Sequence, residues 1–504
     1  MSNSTPHFPL LEKPVSELQQ MMTVGAYTSA AIVQLYIDRI EAIDRSGPCL
    51  NSVLEINPDA LDIARELDEE RAAGNVRGPL HGVPIMIKGN IDTGDRMLTT
   101  AGSLALASGP APADAFIVKK LRAAGVVIMG KTNLSEWANF RSTRSSSGWS
   151  SCNGQTRNPY ALDRNPSGSS SGSSAAAAAS LCALTIGTET DGSIVSPSAA
   201  SGLVGIKPTV GLISRTGIIP ISETQDTAGP MARNVADAAS LLTVLAGTDP
   251  DDISTAGVDA YYADYTDYLN KDAFSGTKIG VVRQFFGRHP ESDRQMEEAI
   301  ELMRLLGAEI IDPVEMPPQN NWGRNEREVL LYEFKDGLNK YLATRGPDFP
   351  VQSLTDVIAF NKENSETAMP LFGQEILELA EEKEGLDSKE YLEALLACIE
   401  GSRVNGLDMA LAGLDALIAP TRGPAWMTDH VNGDSSTAGC SSYSAVAGYP
   451  HITMPLGHTQ GLPLNISFMG RPWEDAQLIA LAYAFEQANP VRQPPEFRPT
   501  TGIL

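Results

Sequence analysis

The chain reads as an α/β protein, a single large domain with a central mixed β-sheet flanked by α-helices. Three observations lead there. Helical and strand signals alternate along the chain instead of separating into blocks. Short apolar runs such as "VPIMI" and "VVIMG" are too short for helices and read as strands, the second as a buried one. No repeat of fixed period appears. At 504 residues the chain could hold about three average domains, but large α/β enzymes bury such a length around one sheet. With 42% hydrophobic and 20% charged residues, 44 Gly and 33 Pro, it is a loop-rich globular chain able to fill a sizeable core. We divide residues 1–504 into a core over about 75–240 and a helical periphery over about 285–410.

Helical spacing predicts a first helix from Thr28 to Asp44, with Thr28 or Ser29 as N-cap, and a second from Asp59 to Ala73. The run Val83 to Ile87 follows a Gly-Pro-rich approach and reads as a strand with Lys88 at its carboxyl end. In "ADAFIVKKLRAAGVVIMGKTN", Asp114 is placed to cap a helix, Gly125 to end it in a left-handed conformation, and "VVIMG" to form the next strand. From Arg141 to Ser174 there is no period of either kind, and so long an aperiodic stretch inside a compact domain points to function or disorder. The run "SAAAAASLCALTIG" then favours helix and close packing. Further helices are predicted at Asn234 to Ala246, Ser292 to Leu306, Asn325 to Ala343, Leu371 to Lys383 and Glu474 to Ala488. Strands are predicted at Lys278 to Val282, Ala416 to Ala419, His451 to Met454 and Leu464 to Met469.

A formal charge of -24 disfavours nucleic acid or an anionic membrane as the main partner, because a polyanion is repelled over most of the surface. Cys49, Cys152, Cys182, Cys398 and Cys440 are widely spaced with no CxxC pair, so neither a zinc knuckle nor a disulfide framework is suggested. No segment offers about 18 uninterrupted apolar residues, and the amino terminus lacks the pattern of a leader. The expectation is a cytoplasmic monomer without metal or cofactor, export staying open if a leader was removed.

The stretch "SGSSSGSS", Ser167 to Ser174, has the composition of a linker and contains the spacing G-x-S-x-G at Gly168, Ser170 and Gly172. A nucleophile elbow needs a buried strand directly before the turn, and "NPYALDRNP" is not one. The six histidines, His7, His81, His289, His430, His451 and His458, form no paired spacing and read as surface or structural. A lysine at the end of a buried strand is another base for a serine, because desolvation disfavours the ammonium form. Lys88 stands in that position, and "GTETDGSI" supplies Ser193 after a glycine in a tight turn.

Together these three segments resemble the amidase signature family. The family's G-G-S-S-G-G run is matched by Ser167 to Gly172 and its G-T-D-x-G-G-S-I by Gly187 to Ile194, and Ser169 and Ser193 lie 24 residues apart as in the family. The likeness extends through "GKTNLSEW", "GQTRNPY", "QDTAGPMARNVAD", "AGYPHITMPLG" and "GLPLNISFMG". It implies the amidase signature fold and a Ser-cisSer-Lys mechanism: Ser193 the nucleophile, Ser169 the bridging serine in a cis peptide, Lys88 the base. Thr190, Asp191, Gly192 and Ser193 would form the oxyanion hole, with Ser170 in support. Departures stand at Ser167, Glu189, Asp191 and Val195. "NLSEWANF", "GQTRNPY" and "TETDGSIV" are most similar to peptide amidases, which implies deamidation of the carboxy-terminal amide of peptides. The alternatives are a broad aliphatic or aryl amidase and an A-type amidotransferase subunit that works only with partners. Asn139 to Cys152, with Trp149, is the candidate wall of a peptide groove.

Overall fold

The computed structural model describes residues 8–319, 322–437 and 439–502. Its strands are β1 (Val53–Ile56), β2 (Pro84–Lys88), β3 (Val127–Thr132), β4 (Trp149–Ser150), β5 (Gly154–Gln155), β6 (Leu184–Glu189), β7 (Val204–Lys207) and β8 (Thr227–Ala232). They continue with β9 (Lys278–Val281), β10 (Glu309–Ile311), β11 (Ala416–Pro420), β12 (His451–Thr459) and β13 (Leu462–Met469). Eleven of these form one sheet in the order β1-β3-β2-β6-β8-β7-β12-β13-β11-β9-β10, while β4 and β5 make a separate hairpin. The sheet is mixed: β2 runs parallel to β3 and β6, whereas β6 and β8 are antiparallel. The chain is thus a single α/β domain with a mixed central sheet flanked by helices.

Every residue of β2, β3 and β6 is buried. A strand covered on both faces needs apolar residues at successive positions, which is why "PIMI" shows no alternation. One core cluster joins sheet residues such as Ile85, Ile87, Ile128 and Ile186 to helix residues such as Val33, Leu121, Leu242 and Phe485. At roughly 25 cal/mol per Å² of apolar surface removed from water, this layer is the main favourable term holding the fold. A separate cluster fixes the helix Gly323–Ala343: Phe334 meets Trp137 edge-on and Phe140 at a tilt, with ring centroids 6.2 and 5.1 Å apart.

Several predicted elements change shape. The first helix runs Ser29–Arg39 and then widens into a π-helical turn, Ile40–Asp44; Thr28 Oγ1 accepts the Ala31 N–H at 3.1 Å and is the N-cap. Asp114 does not cap the helix Phe116–Ala123. Its carboxylate instead takes the Gly94 N–H (2.7 Å) and the Arg122 side chain, tying the Gly94 loop to that helix. Gly125 does take the left-handed conformation, φ +74°. The aperiodic stretch ends earlier than predicted, because the helix Ser171–Ala178 begins inside the serine run. All eight of its residues are buried, so no polar-to-apolar alternation marks it. β6, β7 and β8 escaped prediction because β6 continues a helix-favouring alanine run, β7 is four residues long with Gly205 inside it, and β8 is rich in Gly, Pro and Ala.

The five cysteines are unpaired. Among the described residues, no helix is long and apolar enough to cross a membrane.

Candidate active site

The parallel centre of the sheet delivers Lys88. Its strand β2 is held between β3, where Lys88 pairs with Thr132, and β6, where Ile87 pairs with Ile186. The side chain is fully buried, and Nζ donates to Ser169 Oγ (2.8 Å), Thr188 Oγ1 (2.9 Å) and the Thr188 carbonyl (3.1 Å). Burial pushes the Lys88 ammonium down to about 7, while the carboxylates of Asp226 and Glu189 pull it upward. Two other buried lysines are pushed down to about 8, but Lys131 bonds Thr99 Oγ1 and Lys207 the Pro208 carbonyl. Of these three, Lys88 is the one bonded to a serine hydroxyl.

Ser169 sits in the serine run just before the helix Ser171–Ala178. The Gly168–Ser169 peptide bond is cis, and the Ser169 carbonyl accepts the Ser135 N–H at 3.1 Å. The run is anchored at each step rather than free. Ser171 Oγ bonds the Ser167 carbonyl (2.7 Å), Ser173 Oγ bonds the Ile186 carbonyl (3.0 Å), and Ser174 Oγ bonds the Ser171 carbonyl (2.9 Å). Gly172 is required by space: a Cβ there would lie 2.3 Å from the Ser52 carbonyl oxygen and 2.4 Å from that of Asn133.

Ser193 comes from β6 by a strand-turn-helix passage. β6 ends at Glu189, the turn Thr190-Asp191-Gly192-Ser193 follows, and the helix Val195–Ala200 begins. Gly192 makes the turn with φ +81°, a conformation that disfavours a Cβ. Glu189 Oε2 accepts the N–H groups of Ile194 (2.7 Å) and Val195 (3.0 Å), which secures the far side of the turn. Among the described residues, no acceptor meets the N–H groups of Asp191, Gly192 and Ser193. Thr190 Oγ1 donates to Asp226, which also takes the Ile221 and Ser222 N–H groups. Asp191 takes the hydroxyls of Ser441 and Ser442, each at 2.6 Å. Burial raises Glu326, and the Asp191 charge beside it raises it further.

The structure therefore bonds Lys88 to Ser169 directly. Ser193 joins through its backbone: its carbonyl accepts the Ser170 N–H at 3.2 Å, and its hydroxyl has no partner among the described residues. Ser170 Oγ donates to the Thr188 carbonyl (3.1 Å) and accepts the Thr188 N–H (3.2 Å), stapling the serine run to β6. The elbow geometry sought at Ser170 is thus absent there, and the strand-turn-helix stands at Ser193 instead. Of the histidines, His81 Nε2 meets the Leu67 carbonyl, His289 caps a helix, His430 meets Gln155 and His451 meets Ser467. His7 lies outside the described residues. Of the predicted wall Asn139 to Cys152, Ser147 lines a cavity beside the Gly192 turn, whereas Trp149 is buried against Phe372 and Arg141, with Phe372 at 5.1 Å between centroids.

Two cavities flank the site. One, of about 430 Å³, is lined by Asn90, Thr188, Thr190, Asp226 and Tyr341 on the Lys88 side. The other, of about 210 Å³, is lined by Gly168, Gly192, Val195, Arg422 and Trp426. Thr188 and Arg422 were not singled out from sequence. Thr188 lay inside the quoted motif, but Arg422 is brought in from 226 residues beyond Ser196, and nothing local marks it. Among the described residues, no group of three or more His, Cys, Asp or Glu side chains is arranged to hold a metal.

A strand-borne buried lysine bonded to a serine, beside a second serine on a glycine turn, is an arrangement able to activate a serine hydroxyl. Residues 31–479 match the family model described as Amidase, and the chain belongs to this amidase signature family of enzymes hydrolysing amide C–N bonds. The structure is similar to that of the native peptide amidase from Stenotrophomonas maltophilia, with 48% identity, TM-score 0.92, and 97% of this chain and 100% of that one covered. An amidase family protein from Bacillus anthracis is 37% identical with TM-score 0.87, covering 97% of this chain and 93% of that one. A glutamyl-tRNA(Gln) amidotransferase subunit of Carboxydothermus hydrogenoformans is 33% identical over 94% of this chain and 96% of its own length.

Proposed function

We propose that the enzyme deamidates the carboxy-terminal amide of peptides, releasing acid and ammonia, with Ser193 as nucleophile, Ser169 as proton relay and Lys88 as base. The observation that carries the mechanism is the 2.8 Å contact between a fully buried Lys88 Nζ and Ser169 Oγ, beside a turn with free N–H groups. A neutral amine has two N–H donors and one lone pair. The Thr188 carbonyl can only accept, so it takes one N–H, which leaves the lone pair available to the Ser169 hydroxyl proton.

Ser193 Oγ attacks the amide carbon as its proton passes to Ser169 and the Ser169 proton passes to Lys88. The carbonyl oxygen becomes an oxyanion, and the N–H groups of Asp191, Gly192 and Ser193 receive it; one such donor is worth on the order of 3 kcal/mol in other enzymes. The C–N bond then breaks, the proton returns through Ser169 to the leaving nitrogen, and ammonia departs. Water repeats the sequence on the acyl-Ser193 ester and yields the acid.

The peptide substrate is supported by the 48% identity to the Stenotrophomonas peptide amidase. Mass spectrometry of an amidated peptide incubated with the enzyme tests it: conversion of amide to acid with an uncut chain is expected, and internal cleavage or no conversion overturns it. Ammonia release from simple aliphatic or aryl amides at equal kcat/KM would favour the broad amidase reading. Activity that needs a second protein would favour the amidotransferase reading.

A further inference from the structure

The 210 Å³ cavity beside the Gly192 turn holds a charged group that the mechanism above does not use. Arg422 is only 6% exposed, and its guanidinium lies over the Trp426 ring, 4.4 Å from the centroid. Nη1 donates to Ser167 Oγ (2.7 Å) and Ser196 Oγ (2.5 Å). Those two serines flank the proposed machinery: Ser167 lies two residues before Ser169 and Ser196 three after Ser193, so the guanidinium spans both segments. Among the described residues, Nε and Nη2 are buried without an acceptor, and no carboxylate lies within ion-pair distance of the guanidinium. Asp434, which lines the same cavity, is occupied by Trp426 Nε1 (3.2 Å), Asn165 Nδ2 (3.3 Å) and the Ser147 N–H (2.9 Å).

A guanidinium offers donors only, in a fixed plane, so its unmet groups call for oxygen acceptors on the ligand. The neighbouring Asp434 carboxylate disfavours an anionic ligand and leaves a neutral carbonyl as the fitting acceptor. We propose that Arg422 binds the carbonyl oxygen of the acyl group next to the scissile amide, so that the enzyme selects N-acylated amino acid amides over amides lacking that carbonyl. This rests on the peptide-amide reading, and it makes Arg422 a specificity-determining residue.

The test compares N-acetylphenylalaninamide with hydrocinnamamide, the same skeleton without the acetylamino group. It does so in the wild-type enzyme, Arg422→Gln and Arg422→Lys. The readout is the ratio of the two kcat/KM values within each protein, so that a general loss of activity cancels. Wild type is expected to favour the acylated substrate. Arg422→Gln should lower the ratio by about tenfold or more, mostly through KM, with Arg422→Lys in between. If both substrates fall equally, Arg422 merely braces Ser167 and Ser196, and the inference fails while peptide deamidation stands. Succinamate is a third substrate: a selective loss on it instead would mean that the group read is a carboxylate, and would likewise overturn the inference. Failure of wild type to convert any peptide amide sinks the underlying reading separately. If Arg422→Gln does not fold, Arg422→Lys carries the same ratio, and an unchanged ratio there overturns the inference.

Discussion

Lys88 couples the proposed chemistry to pH. Its neutral form is the base, and burial brings it to about 7, so kcat/KM should fall about tenfold per pH unit below that value and level off above it. Burial raises Asp226, the three hydrogen bonds it accepts oppose that rise, and its charge raises Lys88. Asp226→Asn should therefore move the acid limb to lower pH; a limb that stays put or moves up would detach Asp226 from the base. The stability sign follows from the same shift. An unfolded lysine titrates near about 10.4, so between 7 and that value the unfolded chain holds more protons at this position. Stability contributed here rises with pH across the window and is flat below it, and Lys131 and Lys207 add the same sign from about 8. Replacing Lys88 by Met should flatten the rise of the urea midpoint between pH 7 and 10. Ser193→Ala and Lys88→Met should each lower kcat by about a thousandfold or more, measured as ammonia release, with binding of a substrate amide retained.

Among elements, the turn after β6 depends on Glu189, whose carboxylate holds the Ile194 and Val195 N–H groups. Glu189→Ala should cost about 1–2 kcal/mol in chemical denaturation and lower kcat, and Glu189→Gln, which keeps an acceptor oxygen, should recover most of both. Gly172→Ala meets carbonyl oxygens that cannot swing aside, so a loss of about 3 kcal/mol or more is expected. Motif-bearing parts of the site could be read from sequence because their chemistry is local: Lys88 ends an apolar run, and Ser193 follows a glycine that the turn needs. What escaped was non-local. Lys88, Lys131 and Lys207 all sit in apolar surroundings, and only tertiary packing decides which one faces a serine. The alanine run from Ser174 was read as helix-favouring, but the start of the helix at Ser171, inside the serine run, was missed because small residues buried on every side leave no stripe. Asp114 was misassigned because the Gly94 N–H of a neighbouring loop and the Arg122 side chain of the helix take its carboxylate in place of the helix's first N–H groups.

Over the whole molecule, the α/β alternation was visible because long amphipathic helices carry a strong period and the buried β2 and β3 stand out between them as apolar runs too short for helices. The antiparallel half of the sheet was only partly visible, since β8 contains Gly, Pro and Ala where strand formers are usual and β7 is a four-residue strand interrupted by Gly205. The charge of -24 is a whole-molecule property with a measurable effect. At low ionic strength, amidated peptides carrying lysine should show a kcat/KM several-fold above matched peptides carrying glutamate, and the gap should close as salt approaches about 0.5 M. A gap indifferent to salt would place the preference in local contacts.

The buried helix that starts in the serine run has one more consequence. From Ser171 to Ala178 it offers nothing larger than a serine, and its atoms face the sheet rather than a ligand. A region with so few side-chain atoms has little room to record which substrate is acted upon. Changes of substrate must then be written in the walls contributed by later segments, such as Arg422 and Trp426, while the reacting core is copied unaltered. For anyone seeking new amide specificities, this architecture separates the part to randomise from the part to leave alone.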